Sequence, residues 1–507
     1  VKKSVVIVGA GYGGLATANL LAKAGYKVDV YEKHATPGGR AGLVKKDGFK
    51  FDTGPSWYLM PEVFDKYYSI FNLSAKKELE IIRLTPGYKV FFENQEPITI
   101  QGNVAKDKKT FEAIEPGAGE RLEKYVQESA AIYKLALGNF LYTNFQKPTE
   151  LLSPTIIKSG LKMLGYALNN IDRHVSKRFT DNRLKQILEY HTVFLGSSPF
   201  ETPAIYTLMS NLDFAGGVYY PKRGIYSMVE SLVDIGKGLG VNYHYNSDIK
   251  KIITKNGQAK GLLLTNGEKI AADIVISNAD LHFTETKLLE AKDRSYPEKY
   301  WDKRQPGPSA LLMSLGIKDK LPNLLHHNLY FTKDWQENFD SIYKNHKIPK
   351  SASVYICNPS KTDASVAPKG TENIFVLVPL PSGVDLNQKQ TNSLVDRFIE
   401  QISVITQQPS LKNNIITKHI YTPNQFSQDY NSWLNGALGG QSHKLMQSAI
   451  FRTPNKSKKI KNLYYVGAGT TPGIGLPMCL ISSQLVYKRI MGIKSGGPIK
   501  QIERPKS

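Results

Sequence analysis

Residues 4–8, SVVIV, form an unbroken apolar run, the pattern of a strand buried on both faces. The next stretch, LATANLLAKAG, spaces its apolar residues for a helix, and KVDVYEK returns to strand, which makes a βαβ unit. From about Thr110 to Ile187, apolar repeats at three and four residues predict mostly helix. Within that region, LLSPTIIKSGLKMLGYALNN (151–170) puts Ile156, Ile157, Leu161, Leu164 and Leu168 near one face, with Lys158 and Lys162 beside them. A basic amphipathic helix of this kind either docks on the protein's own core or lies in a bilayer interface. Between 240 and 280 the period changes: three short strands separated by Asn-Gly turns at 256–257 and 266–267 lead into a buried strand, DIVISNA. Residues 300–440 mix strands, such as ASVYICN and NIFVLVPLP, with helices, as a substrate domain does. Residues 462–492 repeat the opening theme of buried strand, glycine-rich turn and helix.

Candidate chemistry sits at the two glycine-rich turns. Gly9, Gly11 and Gly14 stand in G-x-G-x-x-G register after the first strand. Gly9 permits the tight turn, Gly11 lets a pyrophosphate approach the backbone, and Gly14 lets helix and strand pack closely. The helix N-terminus adds backbone N–H groups and a partial positive charge. Glu32 ends the second strand, where a carboxylate accepts hydrogen bonds from a ribose 2′-OH and repels a 2′-phosphate. NADP is therefore disfavoured, while NAD and FAD both remain. Gly467, Gly469, Gly473 and Gly475 allow a second close backbone approach to something planar or anionic. Two such turns from opposite ends of the chain imply one extended ligand. FAD is one, with its diphosphate at the first turn and its isoalloxazine at the last, whereas a nicotinamide has no need of the second.

Composition narrows the remaining classes. A chain of 507 residues can bury one large core or two to three smaller ones. Its longest apolar runs, such as ALLMSLGI at 310–317, fall far short of the ~20 residues a membrane-spanning helix needs, so no span is predicted. The lysines and apolar stretch at the start read as the first strand rather than a signal peptide, and a cytoplasmic location is expected. Cys357 and Cys479 are far apart, without a CxxC or Cys/His cluster, so neither a disulfide framework nor a metal centre is expected. The net charge of +22 attracts nucleic acid and anionic lipid alike. There is no RNA-recognition signature, no Cys/His finger and no arginine tract, so nucleic acid is set aside. The excess is scattered lysine, a solubility bias or an attraction to anionic membrane.

After Glu32 come TPGGRAG, with Gly39 and Arg40, and then DGFKFDTGP from Asp47 to Pro55. Here the chain resembles the amine-oxidase-like flavoproteins, in which a G-G-R element lies against the FAD pyrophosphate and an F-D-x-G-P turn follows. The planar guanidinium fork of Arg40 suits two diphosphate oxygens. In the same family a residue just after an acidic position returns backbone hydrogen bonds to adenine, and by register that residue is Ile249, after Asp248. Further segments, GSSPFETPAIYTLM (196–209), GGVYYPKRGIYSM (216–228), TPNQFSQDYNSWLNGALG (422–439) and LYYVGAGTTPGIGLP (463–477), make nearly the whole chain similar to the bacterial phytoene desaturases, a carotenoid-desaturase branch of these flavoproteins. The family commonly has Gly-Gly at Arg223-Gly224, a His at Thr471 and a small residue at Met478.

The resemblance implies a Rossmann-like FAD-binding domain of the amine-oxidase and glutathione-reductase type, assembled from 1–85, 222–285 and 455–495. It implies a mixed α+β substrate domain from 86–110, 196–221 and 286–454, and a helical membrane-contacting subdomain at 111–195. Gly467, Gly469, Gly475, Leu476 and Met478 would border the flavin. The implied reaction removes a hydride from a CH₂ beside a double bond and a proton from the next carbon, turning phytoene into lycopene by successive steps, with oxygen or a quinone as electron acceptor. A base is either water or a carboxylate, with Glu201 and Asp213 as candidates. Diapophytoene desaturase, carotenoid 3,4-desaturase, terminal oxidase, carotene cis–trans isomerase and a non-catalytic lipid-binding flavoprotein are the rival readings. A lipid-dissolved substrate suits a protein held peripherally on the cytoplasmic membrane.

Overall fold

A computed structural model describes residues 2–145 and 165–504. Five strands, Leu463–Tyr465, Ile274–Ser277, Ser4–Val8, Lys27–Tyr31 and Asn242–His244, pair in that order and all in parallel. The apolar run at 4–8 lies in the centre, and its alternation explains why it is apolar throughout. Val5 and Ile7 enter the core on one face, while Val6 and Val8 enter a separate core on the other. Helix Tyr12–Lys23 covers the first face, packed against helices Tyr226–Gly238 and Leu476–Met491. An antiparallel sheet, Ile249–Lys255, Gln258–Leu264 and Lys269–Ala271, supplies Ile252, Leu262 and Leu264 to the second. Asn256 and Gly257 take φ of 51° and 69°, the pair of left-handed residues that a two-residue hairpin turn requires.

The second large sheet has seven strands in the order Ile415–Tyr421, Ser309–Ile317, Glu372–Leu380, Val354–Cys357, His327–Phe331, Tyr88–Phe92 and Gln95–Ile100. All its pairs are antiparallel except His327–Phe331 with Tyr88–Phe92. The run ALLMSLGI is its most buried strand: Leu311, Met313, Leu315 and Ile317 pack under helix Gln388–Thr406, and Ala310 and Leu312 face the opposite way. Strand Ile81–Arg83 pairs with Tyr219–Pro221.

The region expected to be helical contains Val104–Ile114, Ala118–Leu135, Ile171–Ser176 and Asn182–Glu189. The amphipathic helix expected at 151–170 lies outside the described residues except for 165–170. Among the described residues no helix is long and apolar enough to cross a membrane. Where the resemblance expects two glycines, Arg223 takes φ +72° and Gly224 φ +94°. A Cβ on Gly224 would stand 2.7 Å from Asp52 Oδ2, because that carboxylate accepts the backbone N–H groups of Ile225 and Tyr226 at 2.7 and 3.0 Å. The aspartate of FDTGP thereby holds the start of helix Tyr226–Gly238.

Candidate active site

A cavity of about 1120 Å³ begins at the first glycine turn, passes the last one and continues into a chamber walled by aromatic rings. At the first turn the glycines are required by contact. A Cβ on Gly14 would lie 2.4 Å from the carbonyl oxygen of Gly9, so only glycine lets the helix seat against the turn. A Cβ on Gly11 would lie 2.6 Å from Asn278 Oδ1, and one on Gly467 would lie 2.6 Å from Asn278 Nδ2. Asn278 also donates Nδ2 to the carbonyl of Val466 at 2.9 Å, so one amide joins the two glycine turns. In sequence the signal of Asn278 is only a polar residue just after the apolar run Ile274–Ile276.

Glu32 lines the cavity with its carboxylate fixed by the backbone: Oε2 accepts the N–H of Ala10 at 2.8 Å and Oε1 that of His34 at 3.0 Å. Its own carbonyl accepts the N–H of Ser247 at 2.8 Å, which brings Ile249 to the cavity edge nearby. Gly39 (φ +55°) and Arg40 form the adjoining wall, and Arg40 Nη2 donates to Ser432 Oγ at 2.5 Å. Burial pushes the neighbouring Asp280 carboxyl up, and the Arg40 charge opposes that rise. Gly467, Gly469, Gly475, Leu476 and Met478 line the cavity at the other turn. Gly475 precedes helix Leu476–Met491 with φ +118°, so it is this backbone conformation, rather than crowding, that favours glycine there, since a Cβ would meet only Pro477 and Met478 at 3.8 and 3.9 Å.

These residues fit FAD. The helices starting at Tyr12 and Leu476 both begin without a side-chain cap and without an acid in the first turn, leaving two positive helix ends on one cavity. A carboxylate stands at the ribose position between them and the aromatic chamber takes what is apolar. A bare helix end, a carboxylate and a second glycine-rich turn are groups of the kind that a diphosphate, a ribose and a flat ring require.

Behind the last turn lies Arg452, the largest wholly buried side chain among the described residues. Its five N–H groups donate to five carbonyls: Nε to Thr470, Nη1 to Gln441 and Gln447, and Nη2 to Gly439 and Ala468, at 2.8 to 3.4 Å. Burial pulls its pKa down to about 10, with Tyr206 and Tyr300 opposing the fall. Without a carboxylate beside it, this guanidinium works as a clamp on the loops around the cavity.

Neither candidate base is part of the cavity wall. Glu201 is half-buried and accepts Lys444 Nζ at 2.8 Å. Asp213 is buried, with Oδ2 accepting the Tyr88 hydroxyl at 2.6 Å and lying 3.2 Å from His191 Nε2, while Oδ1 has no partner. Tyr190, which lines the cavity, sets its hydroxyl against Tyr88 and Asp213. Asp213 thus reaches the cavity through one ring.

A third acid, Glu189, was not singled out by its sequence context. It is buried, accepts Trp335 Nε1 at 2.7 Å on Oε2 and leaves Oε1 unpartnered, and Trp335 forms cavity wall. Burial, reinforced by Asp172, pushes its pKa up to about 8 from the ordinary 4.5. Between those values the folded protein holds a proton that the unfolded chain releases, so stability falls as pH rises from about 4.5 to 8. At ~1.4 kcal/mol per unit this amounts to a few kcal/mol. Glu189→Gln is expected to remove that slope and to melt higher than the parent at pH 9. Thermal melts across pH 5 to 9 check it, and parallel slopes would place the titration elsewhere.

The expectation that no Cys/His cluster exists is corrected by strand pairing. Cys357 lies directly across from His327 on adjacent strands, and with His326 their ligand atoms approach within 4.8 Å of one another. His326 Nδ1 and His327 Nδ1 share hydrogen bonds with Thr362 Oγ1 and Tyr355 OH, each at 2.7 Å. Burial pulls His326 down to about 3 and pushes Cys357 up to about 12, so the cluster is neutral. Trp57 stacks on His327 at 4.3 Å and separates the cluster from the cavity.

Comparison with known proteins agrees with this geometry. Residues 12–491 match the family model of flavin containing amine oxidoreductases. A carotenoid 3,4-desaturase of Haloarcula japonica is 37% identical over 491 residues, covering 95% of this chain and 97% of its own. A zeta-carotene-forming phytoene desaturase of Myxococcus xanthus is 34% identical over 492 residues, covering 96% and 94%. Among solved structures, an oxidoreductase from Methanosarcina mazei superimposes with a TM-score of 0.62 at 16% identity, covering 96% of this chain and all of that one, a likeness of fold. A family model that covers residues 12–491, and relatives similar over nearly the whole chain, place the chain in the family of flavin-containing amine oxidoreductases.

Proposed function

We propose that this protein is an FAD-dependent carotenoid desaturase that introduces successive double bonds into phytoene, with lycopene as end product. The observation that carries the reading is continuity: the cavity that begins at the dinucleotide cradle runs on into a chamber faced by Trp57, Phe194, Phe331, Trp335, Phe339 and Tyr343. Rings of this kind suit a long apolar polyene. When bound, FAD supplies the two-electron acceptor for the hydride. The chain's own residues hold and orient. Gly9, Gly11 and Gly14 with the first helix end take the diphosphate, Glu32 the ribose, Arg40 the pyrophosphate flank and Ile249 the adenine. Gly467, Gly469, Gly475, Leu476 and Met478 back the flavin. Asp213, through the Tyr190 hydroxyl, is the carboxylate in reach of a proton leaving the substrate. Oxygen or a quinone takes the electrons onward, and the protein works peripherally on a membrane.

Expression in cells engineered to accumulate phytoene tests this, with pigments separated by chromatography and identified by absorption. Lycopene, or a shorter-conjugated product, is the expected result. Unchanged phytoene beside flavin-loaded protein sinks the reading and turns attention to 3,4-desaturation, which the Haloarcula japonica relative carries out by its name, or to a diapo substrate, terminal oxidation or isomerisation.

A further inference from the structure

His326, His327 and Cys357 form a cluster that the dinucleotide cradle does not use. Successive residues of an extended strand point to opposite faces, yet the rings of His326 and His327 lie only 4.5 Å apart. Asn328 fixes the bend, because its side chain folds back on Leu325, accepting that N–H at 2.9 Å and donating to the carbonyl at 2.7 Å. Pairing of strands His327–Phe331 and Val354–Cys357 then sets the cysteine against the two rings.

All three are closed to water: His326 is 5% exposed, Cys357 4% and His327 0%. Each imidazole has its Nδ1 engaged by a hydroxyl, Thr362 for His326 and Tyr355 for His327, and its Nε2 without a partner. A buried N–H left alone is costlier than a lone pair left alone, so the favoured tautomer carries hydrogen on Nδ1 and a lone pair on Nε2. That is the arrangement of a metal-ligating histidine, whose second nitrogen donates to a supporting group. The hydroxyls of Tyr355 and Ser56 bind the Cys357 sulfur and favour its thiolate against burial. The acids that act on the cluster are spent elsewhere: Asp52 accepts the backbone N–H groups of Ile225 and Tyr226, and Asp363 those of Arg223 and Ser365. The donor set is therefore two neutral nitrogens and one sulfur.

We propose that His326 Nε2, His327 Nε2 and Cys357 Sγ bind one copper(I) ion. One nitrogen of each ring and the sulfur already lie within 4.8 Å of one another, and ligation at about 2.0–2.3 Å asks them to close to roughly 3.5 Å. A thiolate suits a soft ion, and two imidazoles with one thiolate make a trigonal set that copper takes. A structural zinc ion wants a fourth ligand, and this cluster offers three. Charge decides in the same direction: copper(I) with a thiolate is neutral, whereas zinc would leave a net positive charge in a site closed to water. The Cu–S bond forms as the thiol proton leaves to solvent, and no electron is transferred. The ion fastens two strands directly behind Trp57, whose ring stacks on His327 and lines the cavity. The site is independent of the substrate.

The test offers copper(I), held under nitrogen as its coloured bicinchoninate complex, to the full-length, flavin-loaded protein. The parent is expected to bleach one equivalent of the complex, and metal analysis after gel filtration to find one copper per chain. Cys357→Ser is expected to take copper at least about tenfold more weakly, the loss that even a supporting group causes. Cys479→Ser, at the other buried cysteine, keeps the parent's affinity. X-ray absorption of the loaded parent, which needs no variant, should show one sulfur and two imidazole nitrogens about the metal. No capture by the parent, undiminished capture by Cys357→Ser, or a metal environment without sulfur overturns the proposal. Zinc retained in preference to copper, when both are offered, overturns it equally. No step of the test involves a carotenoid, so loss of metal binding and loss of desaturation are read separately.

Discussion

A Gly14→Ala protein is expected to purify without its flavin. The added methyl group would stand 2.4 Å from the backbone oxygen of Gly9, with Asn278 Oδ1 and Cβ at 3.0 and 3.1 Å on its other sides. The first of these is main chain in the tight turn itself, so relief means moving the helix off the turn. Overpacking of this kind costs about 1–3 kcal/mol. Because the helix end that shifts is the one proposed to hold the diphosphate, the cost is expected to fall on cofactor affinity, roughly five- to a hundredfold in Kd. Titration of apoprotein with FAD, followed by flavin fluorescence, measures it. Gly138→Ala is the control, since a Cβ there meets nothing within 4 Å and its φ is ordinary. Equal affinity in the two variants would mean that the first turn does not hold the diphosphate.

The largest loss of stability is expected from Arg452→Met. The substitution keeps most of the volume and strips donors from five carbonyls in a site from which water is excluded. Each buried carbonyl left alone costs about 1–3 kcal/mol, against a total stability of about 5–15 kcal/mol. Relaxation re-pairs some of them, and a fall in Tm of roughly 5–15 °C is expected. Arg452→Lys, with three donors in place of five, should fall between the two. Differential scanning calorimetry of the flavin-loaded proteins decides; an unchanged Tm would show that the clamp is dispensable. Flavin release below the unfolding transition would locate the first loosening at the 468–470 turn.

What the sequence made legible followed from local rules. The glycine register, the acid ending the second strand and the Asn-Gly turns are patterns that neighbouring residues impose on one another, and they appear in the structure where spacing put them. The residues that escaped depend on partners far along the chain. Asn278 matters because 188 residues separate it from the carbonyl it binds at Val466. Arg452 reads as one more surface cation until Gly439, Ala468 and Thr470 close around it. Cys357 meets His327 only because two strands pair, and no spacing motif encodes that. Of the two candidate acids, Glu201 is occupied by Lys444 and Asp213 sits behind Tyr190. Glu189, whose titration the fold perturbs most usefully, has no distinguishing neighbour in sequence.

The order of the parallel sheet also sets the timing of biosynthesis. A ribosome makes the first glycine turn long before the sheet's edge strand Leu463–Tyr465 and the helix from Leu476. Asn278 has no Val466 carbonyl to bind until then. The nascent chain therefore carries an open half-cradle until that strand has been made, and the second turn closes it only then. A chain interrupted between residues 14 and 463 would hold every residue of the first turn and none of the second.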